Sequence, residues 1–70
     1  MIEKLTTRQR QVLELASRGL ANKEIARELN ISKHTVKNYF YAIFKKLNVT
    51  NRYAAARIFA KSSDEIEQVF

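Results

Sequence analysis

The sequence predicts an all-α fold, one domain of four helices forming a helix-turn-helix unit, and three observations carry that expectation. The chain has no proline and a single glycine, so residues that break helices are scarce. It has no sustained apolar/polar alternation, the period that a half-buried strand requires. Its central stretch instead repeats apolar residues at helical spacing, with Val36, Phe40, Ile43, Phe44 and Leu47 at i, i+4, i+7, i+8 and i+11.

The first helix is expected over about residues 7–18. Thr6 can accept from a backbone N–H of the first turn while Gln9 reaches back to the Thr6 N–H, a Thr-x-x-Gln capping box. Val12, Leu13, Leu15 and Ala16 supply one apolar arc, and Gly19 supplies a left-handed stop. The second helix, about 22–29, buries Ile25, Ala26 and Leu29. Asn30 tolerates the left-handed conformation better than most residues, and Ser32 can cap the next helix. The break at Asn30-Ile31-Ser32 is therefore a specified turn, and two helices meet there at an angle. The third helix, 33–47, carries the apolar stripe on one side. His34, Asn38, Tyr41 and Lys45 recur at i, i+4, i+7 and i+11 on the other, flanked by Lys33 and Lys37. Asn48 can end it, and Asn51 can cap a fourth helix over about 52–61 that turns Ala55, Ile58 and Phe59 inward.

Size and composition narrow the function. Seventy residues are close to the lower limit for a self-sufficient apolar core, which leaves little volume for an enclosed active site. No nucleophile-base pair, glycine-rich phosphate loop or facing carboxylate pair is present, so an enzyme is not expected. There are no cysteines, and His34 is the single histidine, so no metal or other cofactor is expected. The net charge is +6, and it is unevenly placed. Between Leu29 and Ser63 there is no Asp or Glu, while Lys33, Lys37, Lys45, Lys46, Arg52, Arg57 and Lys61 all fall there. Such a block points to a polyanion, nucleic acid first and an anionic membrane surface as the competitor. No apolar run approaches the ~20 residues of a membrane span, and the first residues do not open a signal peptide. A cytoplasmic, nucleoid-associated protein that does not bind membranes is expected.

A short helix, a tight turn and a longer helix with a polar outer face form a helix-turn-helix. In that motif the second helix enters the major groove of double-stranded DNA and the first crosses the backbone. Asn, Lys, His and Tyr can address the donors and acceptors displayed there, whereas aliphatic residues read only thymine methyls. Ala26 is small where the two helices approach.

Four stretches, "LTTRQRQVLEL", "GLANKEIARELNIS", "TVKN" and "KLNVTNRYAAA", in this order and spacing, resemble the LuxR-type (GerE or FixJ-type) DNA-binding domain of bacterial transcription regulators. The likeness covers about Leu5 to Phe59. It implies a four-helix domain whose fourth helix serves dimer contacts. It places Lys37, Asn38 and Tyr41 toward the groove, with Asn22, Lys23 and Thr35 near phosphates. Arg52 occupies the family's usual arginine after Lys-Leu-x-Val. Departures are also present. Gln9 and Gln11 stand where glutamates are usual, so an ion pair made by the first becomes a neutral hydrogen bond. Ala21 replaces the usual capping Ser or Thr, leaving Asn22 to take over as cap. Tyr39 stands at a common histidine position and Tyr41 where a small or basic residue is frequent, so base preference is not carried over from relatives.

The expected site follows. Lys33, His34, Lys37, Asn38 and Tyr41 are the base-reading candidates. Asn22, Lys23, Ser32, Thr35, Lys45 and Lys46 are the phosphate candidates, although the two last lysines could equally be solvated or offset the helix dipole. Tyr39 lies nearer the buried stripe. One recognition helix inspects few base pairs, too few to single out a genomic site. A homodimer through Tyr53, Ala56, Arg57 and Ala60 of the fourth helix is therefore expected, with Ala55 and Phe59 kept for the core. The alternative reading is a sigma-factor-like module that also docks on RNA polymerase, and the "KLNVTNRYAAA" extension argues against it. Relatives often carry an N-terminal receiver or ligand-binding domain, so a free-standing regulator and an excised effector domain both fit.

Overall fold

The computed structural model describes residues 2–68, with side chains described through Ser62. A 3-10 turn at Ile2–Lys4 precedes α1 (Thr7–Ser17), α2 (Asn22–Leu29), α3 (Lys33–Leu47) and α4 (Arg52–Gln68). α1 packs on both α3 and α4, and α2 lies chiefly against α3.

Local chemistry sets most of the boundaries. The capping box at α1 forms as expected: the Gln9 N–H donates to Thr6 Oγ1 at 3.1 Å, and the Thr6 N–H donates to Gln9 Oε1 at 3.0 Å. At α3 the Thr35 N–H donates to Ser32 Oγ at 3.0 Å. At α4 the Ala54 N–H donates to Asn51 Oδ1 at 2.9 Å. Each such cap is worth about 1 kcal/mol. The start of α2 differs from expectation. Asn22 is its first helical residue and does not cap; the methyl side chain of Ala21 in the cap position has no acceptor, and only the returning bond from the Ala21 N–H to Glu24 Oε1, 2.8 Å, is made.

The first three helices stop by one device. Gly19, Asn30 and Asn48 adopt positive φ, at 92°, 56° and 56°. The residue after each donates back across the last turn: Leu20 N–H to Leu15 O, Ile31 N–H to Ala26 O, and Val49 N–H to Phe44 O. These are Schellman closures, which satisfy carbonyls that the helix end would leave bare. In each the following aliphatic, Leu20, Ile31 or Val49, folds back onto the core. α4 runs on to Gln68, past the expected end at residue 61. The apolar rhythm lapses at Ser62-Ser63, but neither serine breaks a helix and no Gly or Pro follows.

The core comprises Leu5, Val12, Leu13, Ala16, Ile25, Ala26, Val36, Phe40, Ile43, Leu47 and Ala55. Leu15, Leu29, Phe44, Ile58 and Phe59, expected inside, are half-buried and pack on its edge. Phe44 stacks on Phe40 with ring centroids 5.7 Å apart. Ala26 is buried between α2 and α3, as its size requires. Gln9 is the one buried polar residue among those described. Besides its part in the capping box, its Oε1 accepts from Lys46 Nζ at 2.9 Å, a neutral acceptor joining α1 to α3.

Candidate nucleic-acid interface

The buried stripe Val36, Phe40, Ile43 and Leu47 seats α3 in the domain and turns its opposite side outward. Lys33, His34, Lys37, Asn38, Tyr41 and Lys45 are all exposed there. No acidic side chain interrupts this surface, because α3 contains none. Tyr41 is 60 % exposed, unusually open for a large aromatic. The Lys37 ammonium lies 6.0 Å from its ring centroid, at the outer limit of a cation–π contact. That contact is an i, i+4 pair, a spacing visible in the sequence. Tyr39 is half-buried and packs against the core, so it belongs to the support of α3.

The rim of this face comes from the turn and from α2. Ser32 and Thr35 share a hydroxyl contact of 2.9 Å. Two hydroxyl protons serve one such bond, so one O–H remains for an external acceptor. Lys23 is exposed in the first turn of α2, and Asn22 beside it is half-buried. Lys46 is drawn elsewhere. It follows Lys37 by two and a half helical turns, faces α1, and spends a donor on Gln9. The structure thus brings Asn22 of α2 beside Lys37 and Tyr41 of α3 and ties Lys46 to Gln9 instead.

Arg52 ties this region together, and its partners were not foreseen. Its guanidinium donates to Asn22 Oδ1 at 2.8 Å and to the Leu20 carbonyl at 2.6 Å, and stands 4.9 Å from the Phe40 ring centroid. Lys37, Tyr41, Phe44 and Asn51 complete the lining of a cleft of about 260 Å³ beside it. On α4, Tyr53 (76 % exposed), Arg57 and Ala60 lie at the surface, while Ala56 is half-buried next to them. Ala55 is fully buried. Among the described residues no group of His, Cys, Asp and Glu could hold a metal ion, and no helix is long and apolar enough to cross a membrane.

Comparison with known proteins gives the family. The family described as bacterial regulatory proteins, luxR family, matches residues 3–59. The chain is 51 % identical over 51 residues to the transcriptional regulatory protein DesR of Bacillus subtilis, covering 73 % of this chain and 26 % of that protein. It is 47 % identical over 55 residues to the nitrate/nitrite response regulator protein NarP of Escherichia coli, covering 79 % and 26 %. It is 46 % identical over 55 residues to the glycerol metabolism activator of Pseudomonas putida, covering 79 % and 25 %. The chain thus spans about a quarter of the length of these relatives. With four helices, an acid-free outer face on α3 and a family match over most of its length, the chain belongs to the luxR family of bacterial regulatory proteins and carries that family's helix-turn-helix DNA-binding domain.

Proposed function

We propose that the protein regulates transcription by binding double-stranded DNA sequence-specifically, with α3 in the major groove. The observation that carries this reading is the outer face of α3, six exposed polar residues without an acid, on a helix whose other side is locked into the core. Lys37 and Asn38 are central to base reading. Lysine donates to guanine O6 or N7, and asparagine can pair bidentately with adenine. Asn38 occupies an exposed helix interior, where its poor helix propensity brings no structural gain. Tyr41 offers a hydroxyl and a ring edge to the same groove, and Lys33 and His34 reach the bases nearest the α3 N-terminus. Asn22, Lys23, Ser32, Thr35 and Lys45 hold the flanking phosphates. Lys46, bonded to Gln9, is left out of this set.

The protein acts as a two-fold dimer through Tyr53, Ala56, Arg57 and Ala60. The support is a 76 % exposed tyrosine beside two small residues, exposed Ala60 and half-buried Ala56, whose size allows two copies of α4 to approach closely. A two-fold contact sets half-sites about 10 base pairs apart in an inverted repeat.

Selection of bound sequences from a random duplex pool tests the reading. Asn38→Ala or Lys37→Ala should relax one position of the selected site, at a cost of about 1–3 kcal/mol there. Lys23→Ala should weaken all sequences alike. Full retention of sequence preference in the Asn38 and Lys37 variants would mean that a different face enters the groove.

A further inference from the structure

Arg52 opens α4 but spends its donors on other elements. Nη1 donates to Asn22 Oδ1 at 2.8 Å, and Nη2 donates to the Leu20 carbonyl at 2.6 Å. A guanidinium has donors only, so the Asn22 amide can meet it through oxygen alone. The amide nitrogen is thereby turned away from Arg52. It makes no hydrogen bond, and no buried side-chain nitrogen or oxygen among the described residues lacks a partner, so Nδ2 faces solvent. An unrestrained asparagine presents oxygen or nitrogen with similar ease. At a phosphate the oxygen would be repelled and the N–H2 held.

We propose that Arg52 is a positioning residue for DNA binding: by gripping the Asn22 oxygen it commits the Asn22 N–H2 to a phosphate oxygen of the duplex. This inference rests on the DNA-binding reading above and names how one phosphate contact of it is built. The Phe40 ring, 4.9 Å from the guanidinium centre, holds Arg52 in place from the α3 side. The amide donor is therefore set at a fixed offset from the recognition face. A lysine could not replace this fork, because its single ammonium lacks the planar, two-armed geometry that reaches both acceptors.

Affinity of the full chain for its selected duplex and for a random duplex, with melting temperature measured alongside, tests the assignment. Asn22→Asp keeps an acceptor toward Arg52 and adds an ion pair, so the fold should hold or gain stability. Its outward atom becomes a charged oxygen. Affinity for both duplexes should then fall by at least about tenfold, the loss of a phosphate hydrogen bond plus a repulsion. Gln11→Glu, on the exposed side of α1, changes net charge equally and should cost no more than about twofold. Arg52→Lys should weaken binding in the parent and add nothing in an Asn22→Ala background, whereas a merely structural role for Arg52 would cost the same in both. Ethylation of one phosphate per half-site should block the parent and Gln11→Glu but not Asn22→Ala. Equal losses for Asn22→Asp and Gln11→Glu, or additive losses for Arg52→Lys and Asn22→Ala, would overturn the assignment while leaving the DNA-binding reading intact. A parent protein that bound neither duplex would remove that reading itself.

Discussion

Raising the salt about fourfold should weaken binding to a half-site duplex by roughly 10²–10³-fold. Lys23 and Lys45 are exposed, and Lys33 and Lys37, exposed on the outer face of α3, add to the field. If about four to six basic side chains neutralise phosphates, log K against log salt falls with a slope of about −0.9 per neutralised phosphate, and the neutral contacts leave it unchanged. Within the acid-free segment from Leu29 to Ser63 no carboxylate offsets this attraction, and the opposing charges nearest to Lys23 are the exposed Glu24 and Glu28 of α2. Titration of one duplex across a range of salt concentrations gives the slope directly. A flat line would dismiss phosphate neutralisation as the main source of affinity. Lys46 bears on the magnitude: in the proposed binding mode its bond to the neutral Gln9 keeps it among the contributors to net charge and out of the phosphate contacts. Lys46→Ala should leave the slope unchanged.

Ala56→Glu should reduce binding to a full inverted repeat by on the order of 10²-fold and to a single half-site by only a fewfold, since like charges facing each other across a two-fold interface are repelled without water to screen them. Ala56 is half-buried at the edge of the exposed strip of Tyr53, Arg57 and Ala60, so a second α4 would bring its counterpart close. The half-site comparison separates loss of dimer contact from repulsion of DNA by the new carboxylate. Ala60→Arg, at an exposed position, should lower full-site affinity in the same selective way although it raises the net charge. Sedimentation of the parent with a full site should give two protomers per duplex. A single protomer on a site without inverted symmetry would dismiss the two-fold contact.

The features legible in the sequence are those encoded over three or four residues. The Thr6–Gln9 box, the Ser32 and Asn51 caps and the left-handed Asn30 and Asn48 each depend on neighbours within one turn. The α3 stripe is likewise a local period, and it located both the core side and the outer face. Phe44 sits at the edge of that stripe, so periodicity could not separate half burial beside a cleft from full burial. The end of α4 was illegible for a related reason: loss of the apolar rhythm at Ser62 removes a reason to pack, not a reason to remain helical. Long-range polar contacts were harder still. The Arg52 bonds to Leu20 and Asn22 join residues about thirty positions apart, and no local pattern of residue types announces them. Ala21 looked like a missing cap that Asn22 would replace; the Asn22 oxygen is instead taken by Arg52, and α2 starts with Glu24 closing back on the Ala21 N–H.

The proposed reading of base edges by the outer face of α3 depends on acceptors found only in the major groove. Replacing the purines of each half-site one at a time with 7-deazapurines removes only the N7 acceptor, which lies in the major groove, and leaves the minor-groove edge intact. Affinity should drop by about 1–3 kcal/mol at one or more purines per half-site, and Lys37→Ala or Asn38→Ala should abolish the sensitivity at one of them. If no 7-deazapurine mattered while 3-deazaadenine, which alters only the minor groove, weakened binding, α3 would not lie in the major groove.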